Sequence, residues 1–127
     1  TVSSNDTNLT DNQADLLAVV KDYANNLVTD GTPIGAKVVD PATIAPVGWG
    51  ALNGGTASTD DSTVRIYTTT GGQTPIGFLG PTGQQCRLGP VSGTLLNLNT
   101  GTLRIFSVDT AGREQYLITT ATIQCFN

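Results

Sequence analysis

The stretch Thr102-Leu103-Arg104-Ile105-Phe106-Ser107-Val108, the turn Asp109-Thr110-Ala111-Gly112 and the run 114–125, EQYLITTATIQC, decide the fold. Two β-rich segments separated by a short turn-forming loop read as an antiparallel hairpin. In 102–108, Leu103 and Ile105 share one face while Arg104 and Phe106 share the other, so both faces of that strand are expected to be partly covered. Working back toward residue 36, short β-rich runs alternate with Gly, Pro, Asn and Asp punctuation. The expected strands are 36–40, 44–52, 63–70, 75–79, 85–88 and 91–98, before 102–108 and 114–125. About eight short strands in roughly 90 residues suit an antiparallel β-sandwich or jelly roll, or else a small barrel. Gly77 and Gly93, isolated inside two of these runs, suggest bulges or bends.

The first third reads differently. Residues 1–10, TVSSNDTNLT, offer little to bury and are expected to be a polar tether. In 11–30, Leu16, Val20, Tyr23 and Leu27 stand at helical spacing, with Leu17, Ala24 and Val28 beside them. Thr10 and Gln13 supply a capping box, Asp11 and Asp15 suit the positive end of the dipole, and Asp30-Gly31-Thr32-Pro33 stops the run. The expectation is one amphipathic helix at 11–30, then a single β domain over 31–127. The chain of 127 residues suits one such core.

Composition excludes several functions. Charged residues are 13% and net charge is −4, while threonines number 21. The six Lys and Arg residues stand singly, so the clustered basic face that nucleic acid requires is absent. No apolar run reaches the roughly 18 residues of a membrane helix, and membrane insertion is not expected. With no histidine, there is no histidine triad and no imidazole metal ligand. Nine Asp and Glu114 leave only a carboxylate-pair hydrolase, for which no spacing specifies two facing acids, so the chain is not expected to be an enzyme. The absence of methionine leads to the expectation of a piece of a longer product.

The remaining motifs each carry two readings. Cys86 and Cys125 either bridge a middle strand to the last or stay two buried thiols. Asp60 and Asp61, in Ser58-Thr59-Asp60-Asp61-Ser62, can offer oxygens to calcium with Asp109 or Asp40 nearby, or can simply solvate a loop. No cofactor is expected beyond such a calcium ion. Asn5-Asp6-Thr7 and Asn8-Leu9-Thr10 match the glycosylation pattern, relevant only on a secretory route. Trp49, between Gly48 and Gly50, is either core or displayed to a partner. Thr69, Gln73, Thr82 and Gln84 lie in or beside polar loop tips, where they serve as solubilising turns or meet a receptor or glycan.

The tether and segment 1–28, the run Thr63-Val64-Arg65-Ile66-Tyr67-Thr68, the segment Pro75-Ile76-Gly77-Phe78-Leu79-Gly80-Pro81 and the closing hairpin give the chain its style. It resembles the protruding domain of a small icosahedral RNA virus capsid protein, most like those of shrimp nodaviruses. That resemblance implies a spike domain on the virion surface, carried behind an arm and a jelly-roll shell domain. It further implies a homodimer whose spikes meet a host receptor. The family's shell-domain calcium sites fall on residues outside this chain. A helix at 11–30 departs from a purely β protrusion. The competing expectation is an extracellular, secreted adhesin or carbohydrate-binding β-sandwich.

Overall fold

The computed structural model describes Thr1–Asn127. Ten strands follow one another: β1 (Val2–Ser4), β2 (Gln13–Val19), β3 (Pro33–Val39), β4 (Ala51–Asn53) and β5 (Thr56–Ala57) come first. After them come β6 (Arg65–Thr68), β7 (Gln73–Leu79), β8 (Gln85–Leu88), β9 (Asn99–Val108) and β10 (Glu114–Phe126). They form two antiparallel sheets, a four-stranded one in the order β1-β2-β7-β4 and a six-stranded one in the order β5-β6-β3-β9-β10-β8.

Between the sheets lies one core, to which β2 gives Ala14, Leu16 and Ala18, and β7 gives Ile76 and Phe78. Facing them are Ile34, Ala36 and Val38 of β3, Tyr67 of β6, Leu103 and Ile105 of β9, and Ile123 of β10. These residues are spaced by two within their strands, as a half-buried strand requires. The architecture is therefore an all-β, sandwich-like pair of sheets. The hairpin of β9 and β10 is present, with register breaks between Glu114 and Tyr116 and between Leu117 and Thr119. Phe106, on the outer side of β9, is also fully buried, as the broken alternation of that strand anticipated.

No helix exists at 11–30. That stretch supplies β2, which pairs along its full length with β7 from Gln13↔Leu79 to Val19↔Gln73. The helical reading failed because Leu16 and Val20 satisfy both periods: a spacing of four is one helical turn or two strand repeats. Ala14 and Ala18 complete the buried row, whereas Tyr23 and Leu27, essential to a helical stripe, are exposed. Asn25 turns the chain with a positive φ of 64°, and Asp22 Oδ1 accepts from the N–H groups of Ala24 and Asn26. The supposed tether is also structured, because β1 pairs with Leu16–Ala18 of β2, and the N-terminal ammonium donates to Val19 O at 2.8 Å. Residues 91–98, read as a strand, form none, and 44–50 form a loop. There Ile44, Gly93 and Asn97 adopt positive φ, incompatible with a continuous strand.

A glycine corner joins the two sheets. Between β4 in the small sheet and β5 in the large one stand only Gly54 and Gly55, at φ 75° and 60°. A Cβ on Gly55 would fall on Ile66 O, so only glycine lets the chain cross over there.

Candidate binding groove

Cross-strand register places Asp15 of β2 opposite Gly77 of β7, and Gly77 opposite Asn53 of β4. Asn5, just beyond β1, extends this row by donating its N–H to Asp15 O at 2.9 Å. Because the row's middle member has no side chain, the Asn53 amide lies over Gly77 within a depression of the small sheet, beside Asp15 and Gln13. A Cβ at Gly77 would fall on Asn53 Oδ1 and lie 3.3 Å from Gln13 Nε2. The depression runs over the glycine corner to Thr56 and Thr68, forming a groove of about 670 Å³. That volume is ample for a small ligand.

The polar groups form a relay. Asn53 Nδ2 donates to Gln13 Oε1 at 3.1 Å, and Gln13 Nε2 donates to Asp15 Oδ1 at 2.8 Å. Each amide uses one of its two N–H bonds in this chain, which leaves one on each, together with Asp15 Oδ2 and Asn53 Oδ1, for a ligand. At the corner Tyr67 donates its hydroxyl to Asn53 O at 2.6 Å, so the main chain under the groove is pinned to the opposite sheet. Arg65 adds bonds from its guanidinium to Gly54 O and Gly55 O. Pro75 and Ile66 contribute apolar surface. Asp15 is the one carboxylate among the lining residues, and no Lys or Arg is among them. Such a lining offers hydrogen bonds to hydroxyl groups and apolar contact to their carbon skeleton, with little charge.

Burial pushes the Tyr67 phenol up to about 12, partly opposed by the Arg65 charge. The unfolded phenol titrates near 10, so between those values the unfolded chain binds fewer protons than the folded one. Tyr67 thus stabilises the fold fully below about pH 10 and loses that contribution as pH rises toward 12. Spectrophotometric titration should show one phenol ionising near 12, and Tyr67→Phe should remove that step. A titration without it would show that the corner is open to water.

The residues expected from sequence to make contacts are scattered. Trp49 is half-buried, its ring meeting Phe78 edge-on with centroids 5.5 Å apart, so it closes the core. Thr69 is not a surface residue, being 1% exposed with its hydroxyl donating to Thr29 O at 3.0 Å. Gln73 opens β7 and is exposed, whereas Thr82 is exposed just beyond the other end of that strand. The structure therefore does not bring these two together. Gln84 is engaged within the fold, donating to Asn97 O and accepting from Asn99 Nδ2, both at 3.1 Å.

Asp60 pairs with Arg113 at 3.3 Å. Asp61 accepts from the hydroxyl and N–H of Thr63, which hold its carboxyl below the usual carboxylate range. Asp109 caps Ala111 and Arg113, and Asp40 caps Ala42 and Thr43. No three His, Cys, Asp or Glu side chains gather anywhere in a metal-binding group. The acids considered for calcium are each engaged in local turns or an ion pair. Cys86 and Cys125 do form a disulfide, joining paired positions of β8 and β10.

Sequence reasoning missed Gln13, Asp15, Asn53 and Gly77. Gln13 and Asp15 were absorbed into the supposed helix, and Asn53 into the Asn and Gly punctuation that follows the expected strand 44–52. Gly77 was the available signal, since a glycine inside a strand marks either a bend or close approach of another group. Comparison with protein-family models, curated proteins and solved structures gives no match for this chain.

Proposed function

We propose that the chain is a non-catalytic attachment domain that binds a neutral glycan in the groove over Gly77. The observation that carries this reading is the Asp15–Gln13–Asn53 relay, with the Asn53 amide lying over Gly77, whose remaining N–H and oxygen positions suit sugar hydroxyls. A lone carboxylate does not make the acid pair that glycoside hydrolysis uses. With net charge −4 and no cation in the lining, sialylated or sulfated sugars are disfavoured relative to neutral ones. The sequence resemblance supplies the biological setting: a capsid protruding domain, displayed on the virion surface as paired copies and used for host attachment. The finer jelly-roll description belongs to that same setting.

A second reading, a secreted adhesin or carbohydrate-binding module, is favoured by the Cys86–Cys125 disulfide, since such bonds persist mainly in oxidising compartments. Both readings use the same groove. An Arg-rich arm and second β-sandwich upstream would favour the virion, and a signal peptide the secreted module.

A glycan array probed with the isolated domain tests the function. Neutral oligosaccharides should bind, and Gly77→Val, which displaces the Asn53 amide from the relay, should weaken binding by about tenfold or more, as should Asp15→Ala. Equal binding by the parent and both variants would rule the groove out as the binding site. Preference for anionic sugars would contradict its electrostatics.

A further inference from the structure

We propose that Asn53 is a self-modification site: the backbone nitrogen of Gly54 attacks its side-chain amide, and water opens the resulting ring to an acid. The site itself stands on the corner between β4 and β5, and only its effect on sugar binding rests on the reading above. Asn53 is followed by glycine, so no side chain shields the attacking nitrogen. Gly54 lies outside every strand, and its N–H donates to no acceptor in the chain.

Two neighbours prepare that nitrogen. The attacking species is the deprotonated amide, whose negative charge spreads onto the oxygen of the same peptide unit, Asn53 O. Tyr67 donates its hydroxyl to that oxygen at 2.6 Å. Arg65 donates to the next two carbonyls, Gly54 O at 3.0 Å and Gly55 O at 3.1 Å, and forms no ion pair with any acid. A hydrogen bond and a cation beside a developing negative charge both favour it.

The other reactant is held back by the relay. Asn53 Nδ2 donates to Gln13 Oε1 at 3.1 Å while Oδ1 lies over Gly77, so the amide is directed across the sheet. Attack requires that bond to open and the side chain to swing toward Gly54. Asn53 is the last of three residues in β4, the edge strand of the small sheet, and such short edges open locally at low cost.

In the first step Gly54 N loses its proton and bonds to Asn53 Cγ. The Cγ–Nδ2 bond breaks, and Nδ2 takes up a proton and leaves as ammonia. Water then opens the succinimide ring and restores the Gly54 N–H. Opening at Cγ leaves Asp, and opening at the main-chain carbonyl leaves isoaspartate. Nothing is oxidised or reduced. Asp sets a second carboxylate in a groove where Asp15 stands alone, and isoaspartate lengthens the main chain and breaks the Asn53↔Gly77 pairing. Either product removes the donor to Gln13, so sugar binding should fall as conversion proceeds.

Ageing the whole domain in mildly alkaline buffer and mapping its peptides by mass spectrometry tests this. Asn53 should convert faster than every other asparagine, yielding Asp and isoaspartate together. Gln13→Ala, which releases the amide, should speed conversion about fivefold, and Tyr67→Phe, which removes the donor to Asn53 O, should slow it about tenfold. In the parent, the Gly54 N–H should exchange with solvent at least as fast as an unstructured amide, a measurement that stands even if a variant misfolds. Intact Asn53 in the folded domain after the denatured chain has converted, or a protected Gly54 N–H, would overturn the proposal. Failure of either variant to move the rate in its stated direction would do the same. Conversion in a domain that binds no sugar even when fresh would uphold this site and overturn the function of the groove instead.

Discussion

Replacing Cys86 and Cys125 together with alanine should cost the domain about 4 kcal/mol, the chain-entropy value for a bridge closing a loop of 39 residues. For a chain of this length, that corresponds to a fall of about 15 °C in melting temperature. Both sulfurs are fully buried in the core, between the end of the six-stranded sheet and the turn that leaves β7. A Cβ added at Gly80 would fall on both sulfurs, so the turn after β7 is packed against the bridge. From the same region Cys86 N–H donates to Asp11 O at 3.1 Å, tying the large sheet to the approach to β2, and Gly80 N–H donates to Asn12 O at 2.8 Å, prolonging the β2–β7 ladder. Typical domains are stable by only about 5–15 kcal/mol, so the bridge accounts for a large share. Calorimetry of the double variant should show the fall with one cooperative transition. An unchanged melting temperature would mean that the loop between the cysteines is already constrained in the unfolded chain.

Truncating Phe106 should cost about as much, roughly 3–5 kcal/mol for Phe106→Ala. The ring is fully buried although it sits on the outer face of β9. Gly35 makes room for it, since a Cβ there would fall on Phe106 Cε2. Lys37 covers it, with Nζ 5.8 Å from the ring centroid. Lys37 and Arg104 then share Glu114, so the ring lies beneath a small charged canopy. Gly35→Ala should overpack the same place and cost about 1–3 kcal/mol. Denaturant unfolding measures both. Loss below about 1 kcal/mol for Phe106→Ala would show that the outer face is not a second packed layer.

The β portion was legible because its signals are local. Gly and Pro punctuation bounded the strands, 85–88 matches β8, and the broken alternation at Phe106 announced a two-sided strand. The first third was misread where one spacing serves two structures. Leu17 and Val19, half-buried on the outer side of β2, masked the alternation of Ala14, Leu16, Ala18 and Val20. Leu95, Leu96 and Leu98 gave 91–98 the look of a strand, yet Leu96 and Leu98 remain exposed, because positive φ at Gly93 and Asn97 prevents a ladder. The groove was illegible for a different reason. Gln13, Asp15, Asn53 and Gly77 come from three strands, and only sheet order sets them in neighbouring positions. The disulfide stayed open in sequence because two cysteines carry no pairing information beyond their separation.

The most direct measurement is an amide NMR titration of the domain with a neutral oligosaccharide chosen from the array. The side-chain amides of Gln13 and Asn53 and the backbone amides of Asp15 and Gly77 should shift together in one saturating process, with the sugar recovered chemically unchanged. Saturating shifts confined to the loop tips at Gln73 or Thr82, or conversion of the sugar to product, would contradict non-catalytic glycan binding over Gly77.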